Sequence, residues 1–367
     1  MRDLMASLIR LVRLRLRQDE RGVIGVLVAV MIGGGVLTGM GALVVDVGQL
    51  YQERAELQNG ADAAAIGVAK SCALGTCNAA VAAGFADANA SSLTGGSAAA
   101  QVCGSGGLGA CPPSTGQLTS CPPPPAAGTN YVEVFTSTET ASGSTLLPPA
   151  FATTLLGNSS YQGSTVRACA QAEWGAPVAA TPDALTISAC EWDQATQQGG
   201  LFAPAPPYPP DPLPAQSADE VLMPATGGAP AGCATEPAGA DGPAIFGWAA
   251  DQGGNCTLPV SGSFPAAAGP DAACEQVLQN AQQTRIPILV PVYVALTAGD
   301  YTLQGFADFV VTGYNLPGFV ASDWLDPANS CTGTETCING YFVQGVIPAT
   351  GSITGTNLGV SVIDLTG

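Results

Sequence analysis

Residues 22–45 read GVIGVLVAVMIGGGVLTGMGALVV, an uncharged run that opens directly behind the basic segment Arg10–Arg21. Built as one helix it would measure about 36 Å, against a bilayer core of about 30 Å. The run is therefore expected to be a transmembrane helix. It exceeds the apolar core of a cleavable export signal, and Asp46 to Leu57 behind it carries no small-residue cleavage pattern, so the expected form is a retained signal anchor. Arg2, Arg10, Arg13, Arg15, Arg17 and Arg21 precede the run, against Asp3, Asp19 and Glu20. That bias predicts a single-pass protein of the cell membrane, with a cytoplasmic N-terminus and residues 46–367 on the extracytoplasmic side.

Composition narrows the chemistry of the exported part. The net charge is −18, and beyond Lys70 only Arg167 and Arg285 are basic. Such a surface repels nucleic acid, so no nucleic-acid partner is expected. The chain holds no histidine, which excludes imidazole acid/base catalysis. Its 12 cysteines all follow the apolar run, on the side that topology places outside the reducing cytosol. An even count there favours disulfides, and the absence of both histidine and Cys-x2-Cys spacing argues against structural zinc.

Working outward from the run, Leu4, Leu8, Leu11 and Leu14 alternate with arginines, so residues 4–18 read either as a basic amphipathic helix on the inner leaflet or as a tail that only sets topology. Within the run, Gly25, Ala29 and Gly33 recur every four residues and would let a second helix approach closely, while Gly35 and Gly39 offer a competing face. Behind it, Val47, Leu50, Leu57, Ala61, Ala64 and Val68 recur at helical spacing. The helix is expected to continue as an amphipathic stalk to about Ala69.

The run Asp19-Glu20-Arg21-Gly22, the apolar stretch, Val45-Asp46-Val47-Gly48 and then Leu57-Gln58-Asn59-Gly60-Ala61-Asp62-Ala63-Ala64-Ala65 resembles the N-terminal segment of TadG-like proteins of the Flp (tight-adherence) pilus-assembly system. The resemblance is strongest over residues 19–65. It implies a membrane protein that assembles or anchors a Flp-type pilus, with the bilayer, pilus-assembly proteins or a second copy of its own helix as partners. Many longer members carry an Asp-x-Ser-x-Ser metal site, and no such sequence occurs here. Cleavage after Gly22 would place Leu27 where a prepilin has glutamate, so the arginine arm is expected to stay attached.

Farther out, Cys72 and Cys77 are close enough for a local disulfide. Residues 91–129 are rich in Ser, Gly and Pro and read as a long loop, stapled to the body through Cys103, Cys111 and Cys121. Alternation predicts strands at Tyr131–Phe135 and Thr165–Trp174. Residues 175–280 show no lasting period, and the prolines from Pro204 to Pro214 read as an extended connector. Cys169, Cys190, Cys233, Cys256 and Cys274 punctuate this part, with Cys169–Cys190 and Cys233–Cys256 as the favoured local pairs, and Trp174, Trp192 and Trp248 as core anchors. Four strands are expected at Ile286–Leu296, Tyr301–Thr312, Gly340–Ile347 and Leu358–Leu365, in one antiparallel sheet. Pro287 and Pro291 put the first at an edge or at a bulge, and Cys331 with Cys337 closes a loop.

The expected fold class is thus α+β. A cytoplasmic arm (1–21), a transmembrane helix (22–45) and a stalk helix (46–85) precede a cysteine-containing Ser/Gly/Pro-rich loop (86–130) and a disulfide-rich, mainly β extracytoplasmic domain with long Gly/Pro-rich loops (131–367). No catalytic, cofactor-binding or metal-ligating residue is assigned. Asp323 and Asp326, beside Trp324, are the nearest approach to an acid/base pair, but spacing alone does not set their carboxylate separation. The calcium-loop and nucleophile-elbow patterns are absent. The leading function is a non-enzymatic structural or assembly component of a pilus system. The alternatives are an anchored extracellular binding or adhesive protein and, last, an envelope hydrolase.

Overall fold

A computed structural model describes residues 23–366, apart from 91–96, 114–120, 141, 152–161, 209–211, 223–244, 252, 329–330, 332–333, 335 and 349–351, and without the side chains of 37–38 and 97–100. The arginine arm and Cys233 lie outside the described residues. The chain divides into two compact units, the first built from residues up to Ala63 with Ala83–Gln101 and Phe135–Cys169, the second from Ala64–Ala82, Val102–Val134 and Ala170–Gly367.

The apolar run does not form the expected transmembrane helix. Helix α1 occupies 23–33 and α2 Val36–Ala73, with a turn at Gly34 and Gly35 between them. Gly35 takes φ +72°, a left-handed conformation that ends an α-helix and that glycine adopts without steric cost. The apolar length is thereby cut into pieces of about 16 Å and about 15 Å, the second ending at Asp46. Among the described residues no helix is long and apolar enough to cross a membrane. The helical period read behind Asp46 does hold, and α2 ends at Ala73, four residues beyond the expected limit.

In the first unit, Leu57, Leu147, Val166 and Ala168 form a small core, with Leu50 packed on it. Backbone groups and side chains lock α2 to this core: Leu57 O accepts the Thr136 hydroxyl at 3.0 Å, and Gln58 Nε2 donates to Cys169 O at 2.9 Å. Asp46 Oδ1 accepts the backbone N–H groups of Ala150 and Phe151. Helix α3 (Val81–Asn89) approaches α2 so closely that a Cβ at Gly60 would lie 2.9 Å from Ala86 O.

The second unit carries most of the β structure. Strand β1 (Ser97–Gly104), which the sequence reads as loop, precedes β2 (Asn130–Thr138) and β3 (Arg167–Gly175), which match the two alternating segments. Between residues 175 and 280, where no period is legible, stand β4 (Leu185–Ser188), α4 (Ala189–Ala195), β5 (Glu220–Leu222), β6 (Phe246–Ala249), β7 (Ser263–Ala267) and α5 (Ala272–Thr284). Strands β4 and β6 are buried throughout, which leaves no alternation to read. The remaining strands are β8 (Ile288–Thr297), β9 (Asp300–Leu316), β10 (Phe319–Ala321), β11 (Cys337–Val343), β12 (Gly345–Val346), β13 (Thr356–Asn357) and β14 (Val360–Leu365).

The four expected C-terminal strands do not share one sheet. β14 leaves for the smaller sheet, ordered β1-β2-β3-β14-β12, where Ile363 faces Trp174. In the larger sheet, β9 pairs with β7 and with β8, β7 with β6, β6 with β4, and β4 with β8, so these five strands close into a ring. β11 and β5 extend it from the far half of β9. β8 is therefore flanked on both sides, and the proline signal resolves as irregularity, with register shifts on either side of Tyr293. Phe246, Phe264, Val290, Val292, Phe306 and Leu278 fill the core around the ring. Trp174, Trp192 and Trp248 are buried, as anchors should be, and Trp192 Nε1 donates to Leu358 O at 3.0 Å.

The β8–β9 hairpin turns on Ala298 (φ 56°) and Gly299 (φ 92°), two successive left-handed residues that suit the twist of a two-residue hairpin. Alanine holds that conformation at a cost that asparagine largely avoids. Ala298→Asn is expected to raise stability by about 1 kcal/mol, measured by urea denaturation of the oxidised chain, with Gly299→Val as a destabilising counterpart.

Candidate functional site

Two places gather groups with functional potential. The first is the N-terminal helical segment. Large apolar side chains stand exposed along it, among them Val23, Ile24, Leu27, Val30, Met40 and Val44. Water gains nothing from such a row, and contiguous exposed apolar surface marks a face that something else covers. Gly25, Ala29 and Gly33 all lie on α1 and are exposed, and a Cβ at Gly25 or Gly33 would meet nothing within 4 Å. The row read for helix pairing is thus open. The competing Gly35–Gly39 row is not a continuous helical face, because Gly35 sits in the turn.

The second lies inside the larger sheet of the second unit. Thr312 on β9 is fully buried, and its hydroxyl oxygen is 2.7 Å from Asp219 Oδ1 and 3.0 Å from Asp323 Oδ2. A hydroxyl has one proton to give, so of the two acidic neighbours one must donate in return. Asp323 Oδ1 already accepts the N–H groups of Leu325 at 2.7 Å and Asp326 at 2.9 Å, the arrangement of a carboxylate. Asp219 is then the acid that holds the proton. Burial, chiefly, and the hydrogen bond with Asp323 raise its pKa well above the carboxylate range, while Thr312 pulls it down. Arg285 lies 4.3 Å from the centre of the Trp324 ring.

Asp323 and Asp326 do not form the acid/base pair that their spacing raised: Asp326 Oδ1 turns to the N–H of Ala328, and the residue brought beside Asp323 is Asp219, distant in sequence. No sequence signal joins them, because Thr312 on a third element connects them.

Cysteines occupy the structural role expected of them. Cys72–Cys77, Cys103–Cys111, Cys256–Cys274 and Cys331–Cys337 are disulfides, and Cys121, Cys169 and Cys190 are disulfide-bonded as well. The favoured pair Cys233–Cys256 is overturned. Cys274 begins α5, where Asp271 caps the helix by accepting its N–H at 2.8 Å, and this sets its Cα 4.7 Å from that of Cys256. Cys103, Cys111 and Glu133 place three ligand-type atoms within 4.8 Å, but the sulfurs are spent on each other and Glu133 accepts from Gln171 Nε2 at 3.1 Å. A disulfide sulfur is no thiolate ligand.

Residues 22–71 match a family model described as putative Flp pilus-assembly TadE/G-like. The match covers α1 and nearly all of α2, and it supports involvement in Flp/Tad pilus assembly. No curated protein and no solved structure is significantly similar to the chain.

The buried acids give the second unit an unusual pH response. Burial lifts Asp308 to about 7 and Asp183 to about 6, and Asp219 is raised with them. A carboxyl whose pKa is higher folded than unfolded is bound more tightly to its proton in the native state. Its stabilising contribution is complete below the unfolded value near 4 and disappears as pH rises through the folded value. Stability should therefore fall between pH 5 and pH 8, with a slope of about 1.4 kcal/mol per pH step for each proton that only the folded chain still holds. Urea unfolding at the two pH values checks this, and Asp219→Asn and Asp308→Asn should each flatten the slope.

Proposed function

We propose that this chain is a non-enzymatic structural component of a Flp/Tad-type pilus assembly, placed at the cell envelope with its cysteine-rich body on the extracytoplasmic side. One coincidence carries the reading: the segment that matches the pilus-assembly family is the same segment whose apolar side chains and small-residue row stand uncovered. Disulfide-bonded cysteines spread over the rest of the chain favour an oxidising compartment. The acid pair of Asp219 and Asp323 is buried against its own sheet and the chain holds no histidine, which supports a structural role over hydrolysis.

The apolar arm serves as the contact surface, with the Gly25, Ala29 and Gly33 row admitting a helix of a second copy or of another pilus-system protein. Close van der Waals packing across small residues drives such pairing. Gly33→Leu has room in the fold, since nothing stands within 4 Å of its Cβ position, so its effect reports on partners. In-cell crosslinking from Val26 should lose most of its adducts in Gly33→Leu at equal protein levels. Unchanged adducts in that variant would rule out pairing through this row.

A further inference from the structure

We propose that Thr366 and Gln171 of the second unit are the two halves of an ester cross-link that the chain forms on itself, with Glu133 as the proton carrier. Gln171 lies within β3, and Thr366 follows β14, one residue beyond Leu365, which pairs with Ala172. That register brings the Thr366 N–H to Gln171 O at 3.0 Å, and the Thr366 hydroxyl donates to the side-chain carbonyl oxygen, Gln171 Oε1, at 2.8 Å. On the other side of the same carboxamide, Nε2 donates to Glu133 Oε1 at 3.1 Å and lies 3.5 Å from the carbonyl oxygens of Pro122 and Pro123. Gln171 and Glu133 are buried, at 1% and 2% exposure, while Thr366 is exposed. A hydroxyl, a carboxamide and a carboxyl group thus stand in series across β14, β3 and β2, three neighbours in the smaller sheet.

The step balances within the chain. The bond from Thr366 Oγ1 to Gln171 Cδ forms, the bond from Cδ to Nε2 breaks, and the hydroxyl proton leaves with the nitrogen as ammonia. No oxidant, reductant or added group is consumed. The hydroxyl has only to swing from the lone pair of Oε1 to the face of the carbonyl, and its exposed position leaves room for that. An amide nitrogen departs poorly unless it is protonated as its bond breaks, so the site needs an acid at Nε2.

Glu133 is the acid within reach. Its Oε2 faces the sulfur of Cys103 at 3.9 Å, and that sulfur is spent in the disulfide with Cys111, so it has no proton to offer. Burial, chiefly, raises the pKa of Glu133, while its hydrogen bond from Gln171 lowers it. In its acid form Glu133 gives a proton to Nε2, and the proton shed by the hydroxyl restores it. Holding the reacting groups together replaces a chance encounter, and one turnover per chain is enough, so a rate far below that of an enzyme suffices. Burial of Gln171 keeps water from competing at the carbonyl carbon and from hydrolysing the product. The link would tie the end of β14 to β3 across 195 positions of the chain, a closure that restricts the unfolded state.

The test is mass spectrometry of the full chain, produced in an oxidising compartment, then reduced, alkylated and digested with trypsin. Past Arg167 the next basic residue is Arg285, so Gln171 and Thr366 fall on separate peptides that begin at Ala168 and Ile286. In the wild type these two peptides should stay joined, one ammonia lighter than their sum, and should come apart in hydroxylamine, which cleaves an ester. Thr366→Val and Glu133→Gln should each give separate peptides, whereas Thr366→Ser keeps the hydroxyl and should keep the link. Separate peptides from the wild type, with Gln171 intact or deamidated, would overturn the proposal. So would a link that persists in Thr366→Val.

Discussion

Strand β9 is the constraint on which the second unit depends. Over Asp300–Leu316 it must find partners for a row of backbone donors and acceptors, buried without a break from Gly305 to Tyr314, and it meets β7, β8, β10, β11 and β13 to do so. A buried strand cannot fall back on water, so its neighbours are obligatory. Closing the ring of β9, β7, β6, β4 and β8 removes free edges at the centre of the sheet and encloses the largest apolar cluster. Short strands of three to five residues, unstable alone, hold through a chain of pairings that starts at β9: β7 pairs with β9, β6 with β7, β4 with β6 and β8, and β5 with β11. The same strand places Thr312 between Asp219 and Asp323, so the polar relay buried in the sheet follows from its geometry.

Helix α2 plays the corresponding part in the first unit. Its buried stripe presents mostly small side chains, so it contributes less apolar area than a leucine-rich helix would. Side-chain hydrogen bonds to Leu57 and from Gln58, and the seating of Asp46 beneath Ala150 and Phe151, compensate by fixing orientation. Disulfides then shorten the loops that a Gly/Pro-rich chain would otherwise leave free in the unfolded state.

Much of this was legible in the residues, for identifiable reasons. Alternation at Tyr131–Phe135 and the β-branched runs after Ile286 mark strands, and the period from Val47 to Val68 marks α2. Nearby cysteines such as Cys72 and Cys77 pair as their spacing indicates. Hydropathy misled at the N-terminus, since it averages over Gly33-Gly34-Gly35 and carries no information on φ. Strands β4 to β7 escaped because they are short and, in β4 and β6, buried on both faces. The Asp219 relay escaped for another reason: its members come from separate elements, and only the folded backbone brings them together.

The family match supports involvement in Flp/Tad pilus assembly, and the proposed structural role rests on it together with the uncovered apolar arm and the disulfide-linked body. The most direct measurement counts surface pili by electron microscopy in a strain deleted for this chain, then complemented either with the whole chain or with one lacking residues 22–71. This account predicts loss of pili on deletion, recovery with the whole chain and no recovery without residues 22–71. Normal pilus numbers in the deletion strain would contradict it.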